Sequence, residues 1–206
     1  MLIKQTTVKV GNLQKNNEDF IRTWTIPEYI CDEILQFYKN NKELHEVGNI
    51  NSDEGEVKKP EFKKSTEIGI DAENNENPFH DYRNELQKCL NFYVEDFPMA
   101  NKLPRFNIVE RYNIQHYKKG EGFLKEHFER NGGFNKSIRR CLVFMTYLND
   151  LDQGGTIFPY QKRTIKAQKG KTVIFPSDWT HTHVGQISQT EEKTIVTGWF
   201  SYIWDK

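Results

Sequence analysis

Hydrophobic and polar positions along the chain change period near residue 100. In Pro27–Asn41 the apolar residues Ile30, Ile34, Leu35 and Tyr38 recur every three to four positions, which predicts a helix with Thr25 as its cap ahead of Pro27. Leu86, Leu90 and Tyr93 predict a second helix over His80–Phe97, capped by Asp81 and ended by Pro98. The connection between them, Asn40–Pro78, is rich in Asn, Lys, Glu and Gly, with one short candidate strand at Lys64–Ile70. A polar connection of that length in a compact domain is either mobile or a functional loop.

Beyond residue 100 the period moves toward two. Candidate strands are Arg105–Tyr117, Cys141–Asn149, Thr164–Ala167, Thr172–Pro176, His181–Val184 and Lys193–Ile203. Gly-containing turns separate them at 118–120, 131–133, 154–155 and 169–170. Many short strands at close spacing predict a sandwich, barrel or jelly roll. The expected architecture is α+β, mainly β, in one catalytic domain over 1–206. Residues 1–100 form its helical support, with the polar loop at 40–78, and residues 101–206 form its core.

Charge narrows the function. The 206 residues carry 29 Lys and Arg against 29 Asp and Glu. A binder of nucleic acid or of membrane surfaces depends on excess positive charge, so neither partner is expected. Aromatic residues make up 13% of the chain and supply bulk for a core, which argues against disorder throughout. No apolar run reaches membrane-spanning length, and the first 20 residues hold no uninterrupted apolar segment, so a soluble cytoplasmic protein is expected. Three cysteines, Cys31, Cys89 and Cys141, are widely spaced and read as buried small hydrophobes rather than as a disulfide framework or zinc site.

The β half holds the chemically versatile residues. His127 and Glu129 are two apart, a spacing that sends both side chains to one face of a strand, where they can share a metal. Either His181 or His183 can supply a third ligand. Two imidazoles and one carboxylate on one face of an octahedron leave three positions open, the facial triad of non-haem Fe(II) oxygenases. No HExxH, GxSxG elbow, GxGxxG or GxxxxGK[ST] occurs to favour zinc hydrolysis, nucleophilic catalysis or phosphate binding.

The residues around this pair follow an ordered string: Tyr117-Lys-Lys-Gly120, Phe123, His127-Phe-Glu129, Arg140, Tyr147-Leu-Asn-Asp150, Gly154-Gly-Thr156 and His183-Val-Gly185. Lys193 follows ten residues after His183, and Trp199 six after that. In order and spacing the string resembles the Fe(II)/2-oxoglutarate-dependent dioxygenases, in particular their prolyl 4-hydroxylase-like branch, over about residues 105–203. Three departures from that pattern are visible. Glu129 stands where Asp is usual. One extra residue lies between Gly120 and His127, and Phe123 lacks the hydroxyl of the usual Tyr. Gly154-Gly-Thr156 is one residue short before its Thr.

The resemblance implies a double-stranded β-helix (jelly roll) braced by the N-terminal helices. It implies Fe(II) held by His127, Glu129 and His183, with His183 preferred over His181 because it precedes Gly185 and stands ten residues before Lys193. Lys193 would pair with the distal carboxylate of 2-oxoglutarate, and Tyr117 and Thr156 would hydrogen-bond the same cosubstrate. Phe123, Arg140 and Trp199 match substrate-contacting positions. The implied cosubstrates are 2-oxoglutarate and O2, with ascorbate as an accessory cofactor. The implied reaction is hydroxylation of a C–H bond, with release of succinate and CO2. A prolyl residue in a peptide or protein, bound under the 40–78 loop, is the expected substrate. Other readings stay open: the same chemistry on a free amino acid or other small molecule, a cupin-like metalloenzyme that does not use 2-oxoglutarate, and a non-catalytic jelly-roll binding module.

Overall fold

A computed structural model describes residues 19–52, 55–57, 59, 61–130 and 136–203. The turn expected at 131–133 and most of the N-terminal segment inspected for a targeting signal lie outside them. Two helices carry the helical period: α1 (Glu28–Asn40) and α2 (Phe79–Asp96). Their buried faces are Ile30, Cys31, Ile34 and Tyr38, and Phe79, Tyr82, Leu86, Cys89, Leu90 and Tyr93. Neither expected cap forms. Thr25 ends a strand, Asp81 lies inside the first turn of α2, and each helix instead begins after a proline, Pro27 or Pro78, without a side-chain cap. Proline's fixed φ already suits a helix start, and it has no N–H to satisfy.

The strands are β1 (Arg22–Thr25), β2 (Glu46–Val47), β3 (Ile50–Ser52), β4 (Gly55–Val57), β5 (Thr66–Ile70), β6 (Phe106–Asn107) and β7 (Tyr112–Tyr117). They continue with β8 (Arg140–Tyr147), β9 (Thr156–Phe158), β10 (Arg163–Ile165), β11 (Lys171–Pro176), β12 (Val184–Gly185) and β13 (Lys193–Tyr202). A large antiparallel sheet runs β1-β11-β8-β13-β7-β5-β2, with β6 also on β13, and a smaller one runs β10-β9-β12. The fold is the expected jelly roll braced by helices.

Alternation along the central strands separates two cores. Ile114, Phe144, Ile174, Val196 and Phe200 point toward α1 and α2, and this layer also holds Cys31, Cys89 and Cys141, all buried. Tyr117, Val143, Met145, Tyr147, Phe175 and Ile195 point the other way, toward the small sheet with its Phe158 and Ile165. The functional residues lie in this second layer. In the helix-facing layer, Gly198 is where a side chain would not fit: a Cβ there would come within 2.5 Å of both Phe144 Cζ and Tyr112 Cβ.

Several expectations are corrected. The stretch from 105 to 117 is two strands, β6 and β7, rather than one. His181–Val184 is not a strand: a short 3-10 turn covers Trp179–His181, and only Val184–Gly185 pairs. In the 40–78 connection the expected strand forms as β5, and β2, which was not expected, pairs with it at the edge of the large sheet. Of the polar turns, Gly120 and Gly170 both adopt φ of +77°, the left-handed conformation glycine reaches without strain. At Gly170 a Cβ would also meet Ile26 O at 2.6 Å.

Candidate active site

The site is built from backbone outward. His127 and His183 form an isolated antiparallel bridge, and each N–H donates to the other's carbonyl at 3.0 and 2.9 Å. Two residues on, the Glu129 N–H donates to Ser177 O at 3.1 Å, which fixes the carboxylate's stem beside the bridge. The three side chains then converge. His127 Nε2 is 3.4 Å and His183 Nε2 is 3.6 Å from the same oxygen, Glu129 Oε1. All three candidate ligand atoms lie within 4.8 Å of one another.

Hydrogen bonds behind the rings select the tautomer. His127 Nδ1 lies 3.0 Å from Lys125 O, and His183 Nδ1 lies 2.9 Å from His181 O. A carbonyl only accepts, so Nδ1 carries the proton in each ring and Nε2 turns its lone pair to the centre. Burial, followed by the neighbouring His183, lowers the pKa of His127. Burial opposes the charge on Glu129, but its close contacts with His127 and His183 and the charge of Arg140 outweigh it and hold the carboxyl well below the usual range. Two imidazole lone pairs and a carboxylate oxygen facing one centre suit a cation there. The donor set of two nitrogens and one oxygen fits Fe(II).

His181 plays a different part. Its Nε2 donates to Asp19 O at 2.8 Å, and its Nδ1 faces Thr180 Oγ1 at 3.0 Å. Its metal-binding atoms are thereby committed to the chain, which separates it from His183.

A cavity of about 450 Å³ runs from this triad to Lys193. Period two along β13 turns Lys193, Ile195, Thr197 and Trp199 into it. Lys193 is 5% exposed, its Nζ donates to Gln186 O at 3.2 Å, and it lies 4.9 Å from the Tyr117 ring. Among the described residues no carboxylate pairs with it, and burial pushes its pKa down to about 8. A buried ammonium without a counter-ion is costly, so the site suits an anionic ligand. Gly185 keeps that end open: a Cβ there would stand 3.4 Å from Lys193 Nζ.

The other expected residues line the same cavity. Tyr117 donates its hydroxyl to Gln115 Oε1 at 2.7 Å. Thr156 Oγ1 is 2.7 Å from the Tyr147 hydroxyl. Phe123 stacks on His127, with centroids 3.6 Å apart and planes 12° apart. Arg140 lies 3.3 Å over the Trp199 ring and is paired to Glu110 at 2.9 Å. Glu110, Gln115, Lys63 and Glu67 were not anticipated. Period two on β7 could have placed Gln115 with Tyr117, whereas nothing local marks Glu110, 30 positions from Arg140. Lys63 and Glu67 form a buried pair at 2.6 Å in the cavity wall.

The 2OG-Fe(II) oxygenase superfamily model matches residues 112–201. No curated protein matches the chain in sequence. Solved structures with the same fold include the viral collagen prolyl hydroxylase of Paramecium bursaria Chlorella virus-1, in complex with 2-oxoglutarate. Its TM-score is 0.64 at 18% identity, over 89% of this chain and 97% of that one. A prolyl-4-hydroxylase from Pseudomonas putida has a TM-score of 0.64 at 13% identity, over 89% and 93%. A prolyl hydroxylase from Trichoplax adhaerens, in complex with a hypoxia inducible factor peptide fragment, has a TM-score of 0.67 at 15% identity, over 90% and 84%. From Tyr112 in β7 to Ser201 in β13, across the bridged histidines, Glu129 and the buried lysine, the chain is thus similar to the 2OG-Fe(II) oxygenase superfamily, and it shares its fold with these three prolyl hydroxylases.

Proposed function

We propose that this oxygenase hydroxylates a prolyl residue in a peptide or protein. In this reading residues 1–206 form one catalytic domain, His127, Glu129 and His183 hold Fe(II), and Lys193 binds the distal carboxylate of 2-oxoglutarate. The observation that carries the metal and cosubstrate assignment is the pairing of three convergent ligand atoms with a buried, unpaired lysine in one cavity. Fe(II) with 2-oxoglutarate supplies an oxidative decarboxylation that releases succinate and CO2 and places one oxygen atom of O2 into a substrate C–H bond.

The chain's own residues do the positioning. The Lys125 and His181 carbonyls keep both Nε2 atoms unprotonated and aimed inward. Lys193 neutralises the far end of the dicarboxylate, and the Tyr117 and Thr156 hydroxyls beside it complete the polar end of the pocket. Val143, Ile195 and Phe158 pack behind them in the apolar layer between the sheets and keep bulk water out. Substrate lies at the open side of the triad, against Phe123, Arg140 and Trp199. Glu46, Val47, Phe62 and Lys63 line the same cavity, which supports a role for the 40–78 connection in covering bound substrate. The prolyl assignment draws on the three prolyl hydroxylases that share the fold, one of them in complex with a peptide.

The test has two stages. Anaerobic addition of Fe(II) and then 2-oxoglutarate should produce the weak visible charge-transfer band of the chelate, and its absence would end the oxygenase mechanism for these residues. Proline-containing peptides should then gain the mass of one oxygen atom with stoichiometric succinate. Oxygen gain on free amino acids alone would replace the peptide reading.

A further inference from the structure

Glu129 is one methylene longer than the aspartate usual at this position, and the structure shows where the extra length goes. Its two oxygens have separate partners. Oε1 faces both histidine Nε2 atoms at 3.4 and 3.6 Å. Oε2 accepts the Trp199 indole N–H at 2.9 Å and lies 3.4 Å from Arg140 Nη1. Trp199 and Arg140 are themselves fixed. The guanidinium stacks 3.3 Å over the indole and is held by the Glu110 carboxylate at 2.9 Å, and Glu110 in turn accepts the Ser201 hydroxyl at 2.6 Å. Arg140 and Glu110 are both largely buried, with side chains 5% and 10% exposed, so this network is poorly screened by water.

We propose that Trp199 and Arg140, anchored by Glu110, are positioning residues that hold Oε2 away from the centre, so that Glu129 serves as a one-oxygen ligand through Oε1. The inference rests on the metal assignment made above. A carboxylate free to rotate can offer two oxygens and occupy a position that cosubstrate or O2 requires. A carboxylate with one oxygen clamped offers one. The clamp also depends on reach: an aspartate at 129 would be too short to stay beside both Nε2 atoms and still meet the indole N–H. In this chain the longer acid and its clamp therefore work as a unit, and restoring the shorter acid alone should harm the site.

The test uses Co(II), which reports coordination by its visible d–d absorption and needs no turnover. The full-length chain, freed of metal, is titrated as the wild type, Trp199→Phe, Glu129→Asp and the double variant. Phe keeps an aromatic face for Arg140 but removes the donor. Each single variant should weaken Co(II) binding about 10–100-fold, the usual effect of removing an outer partner of a metal ligand. The d–d envelope of Trp199→Phe at saturating metal should differ from that of the wild type. In the Glu129→Asp background, Trp199→Phe should add less than about threefold, because the interaction it removes is already lost. A purely structural role for Trp199 predicts equal weakening in both backgrounds, and that result overturns the proposal. Single variants that match the wild type in affinity and spectrum also overturn it. A wild-type chain that binds no Co(II) rejects the metal assignment itself, a separate outcome. The conservative Glu129→Asp change keeps the comparison informative if Trp199→Phe proves unstable.

Discussion

His127 and His183 are joined at the backbone, each N–H donating to the other's carbonyl at 3.0 and 2.9 Å. The spacing of the two positions is thus set by main-chain hydrogen bonds, which do not depend on either ring. His127→Ala and His183→Ala should each abolish Fe(II) or Co(II) binding, measured by calorimetric titration. The far-UV circular dichroism of both should match the wild type. Retained metal binding in either variant would remove that residue from the ligand set.

His181 supplies the contrast. Its Nε2 is spent on Asp19 O, so His181→Ala should leave metal affinity unchanged within about twofold. The variant loses two hydrogen bonds and should be destabilised by about 1–3 kcal/mol in chemical denaturation. A large drop in metal affinity at unchanged stability would contradict this placement.

Lys193 gives a pH signature. With its pKa lowered by burial to about 8, the free site holds a charged ammonium below that pH and loses it above. Affinity for 2-oxoglutarate should be level up to about pH 8 and then fall, approaching tenfold per pH unit. The sign for folding is opposite. Between about 8 and the ordinary value of 10.5 the unfolded chain binds this proton and the folded chain does not, so the ligand-free protein gains stability from this group as pH rises. Lys193→Met should weaken 2-oxoglutarate binding about 10–100-fold, the worth of a charge-assisted hydrogen bond of about 1.5–3 kcal/mol. The melting temperature without ligand should be equal or higher. Cosubstrate affinity that ignores both pH and this substitution would exclude Lys193 from the site.

Gly198→Ala should destabilise the fold by about 1–3 kcal/mol, because its methyl would press on Phe144 and Tyr112 where the helices meet the sheet. Denaturant midpoints of the metal-free protein would show it. An unchanged midpoint would mean that this layer has room to yield.

The site was more legible in the sequence than the frame around it. The ten residues from His183 to Lys193 and the period of β13 survive folding, whereas His127 and Glu129 lie outside any strand and are brought together by the His127–His183 bridge and the Glu129 N–H bond to Ser177 O. The partner Glu110 was not legible, because a contact across 30 positions depends on tertiary packing that no local pattern encodes. Edge strands escaped for a related reason. β1 and β2 are short, and the sheet completes their hydrogen bonding, whereas their own patterns are too brief to show a period. The expected strand at His181–Val184 failed because the hydrogen bonds of His181 to Asp19 and Thr180 draw that residue into a turn.

The placement of Cys31, Cys89 and Cys141 in the helix-facing layer carries a consequence for the protein's durability. Iron and O2 in one pocket are a source of stray oxidants, and thiolates are their readiest victims. All three sulfurs lie in the core on the face of the large sheet opposite His127, Glu129 and His183, and burial pushes each thiol's pKa up to about 12. They therefore stay protonated, weakly nucleophilic and walled off by a sheet from the place where oxygen reacts. The two-layered core keeps the chain's three thiols apart from the site that faces the small sheet.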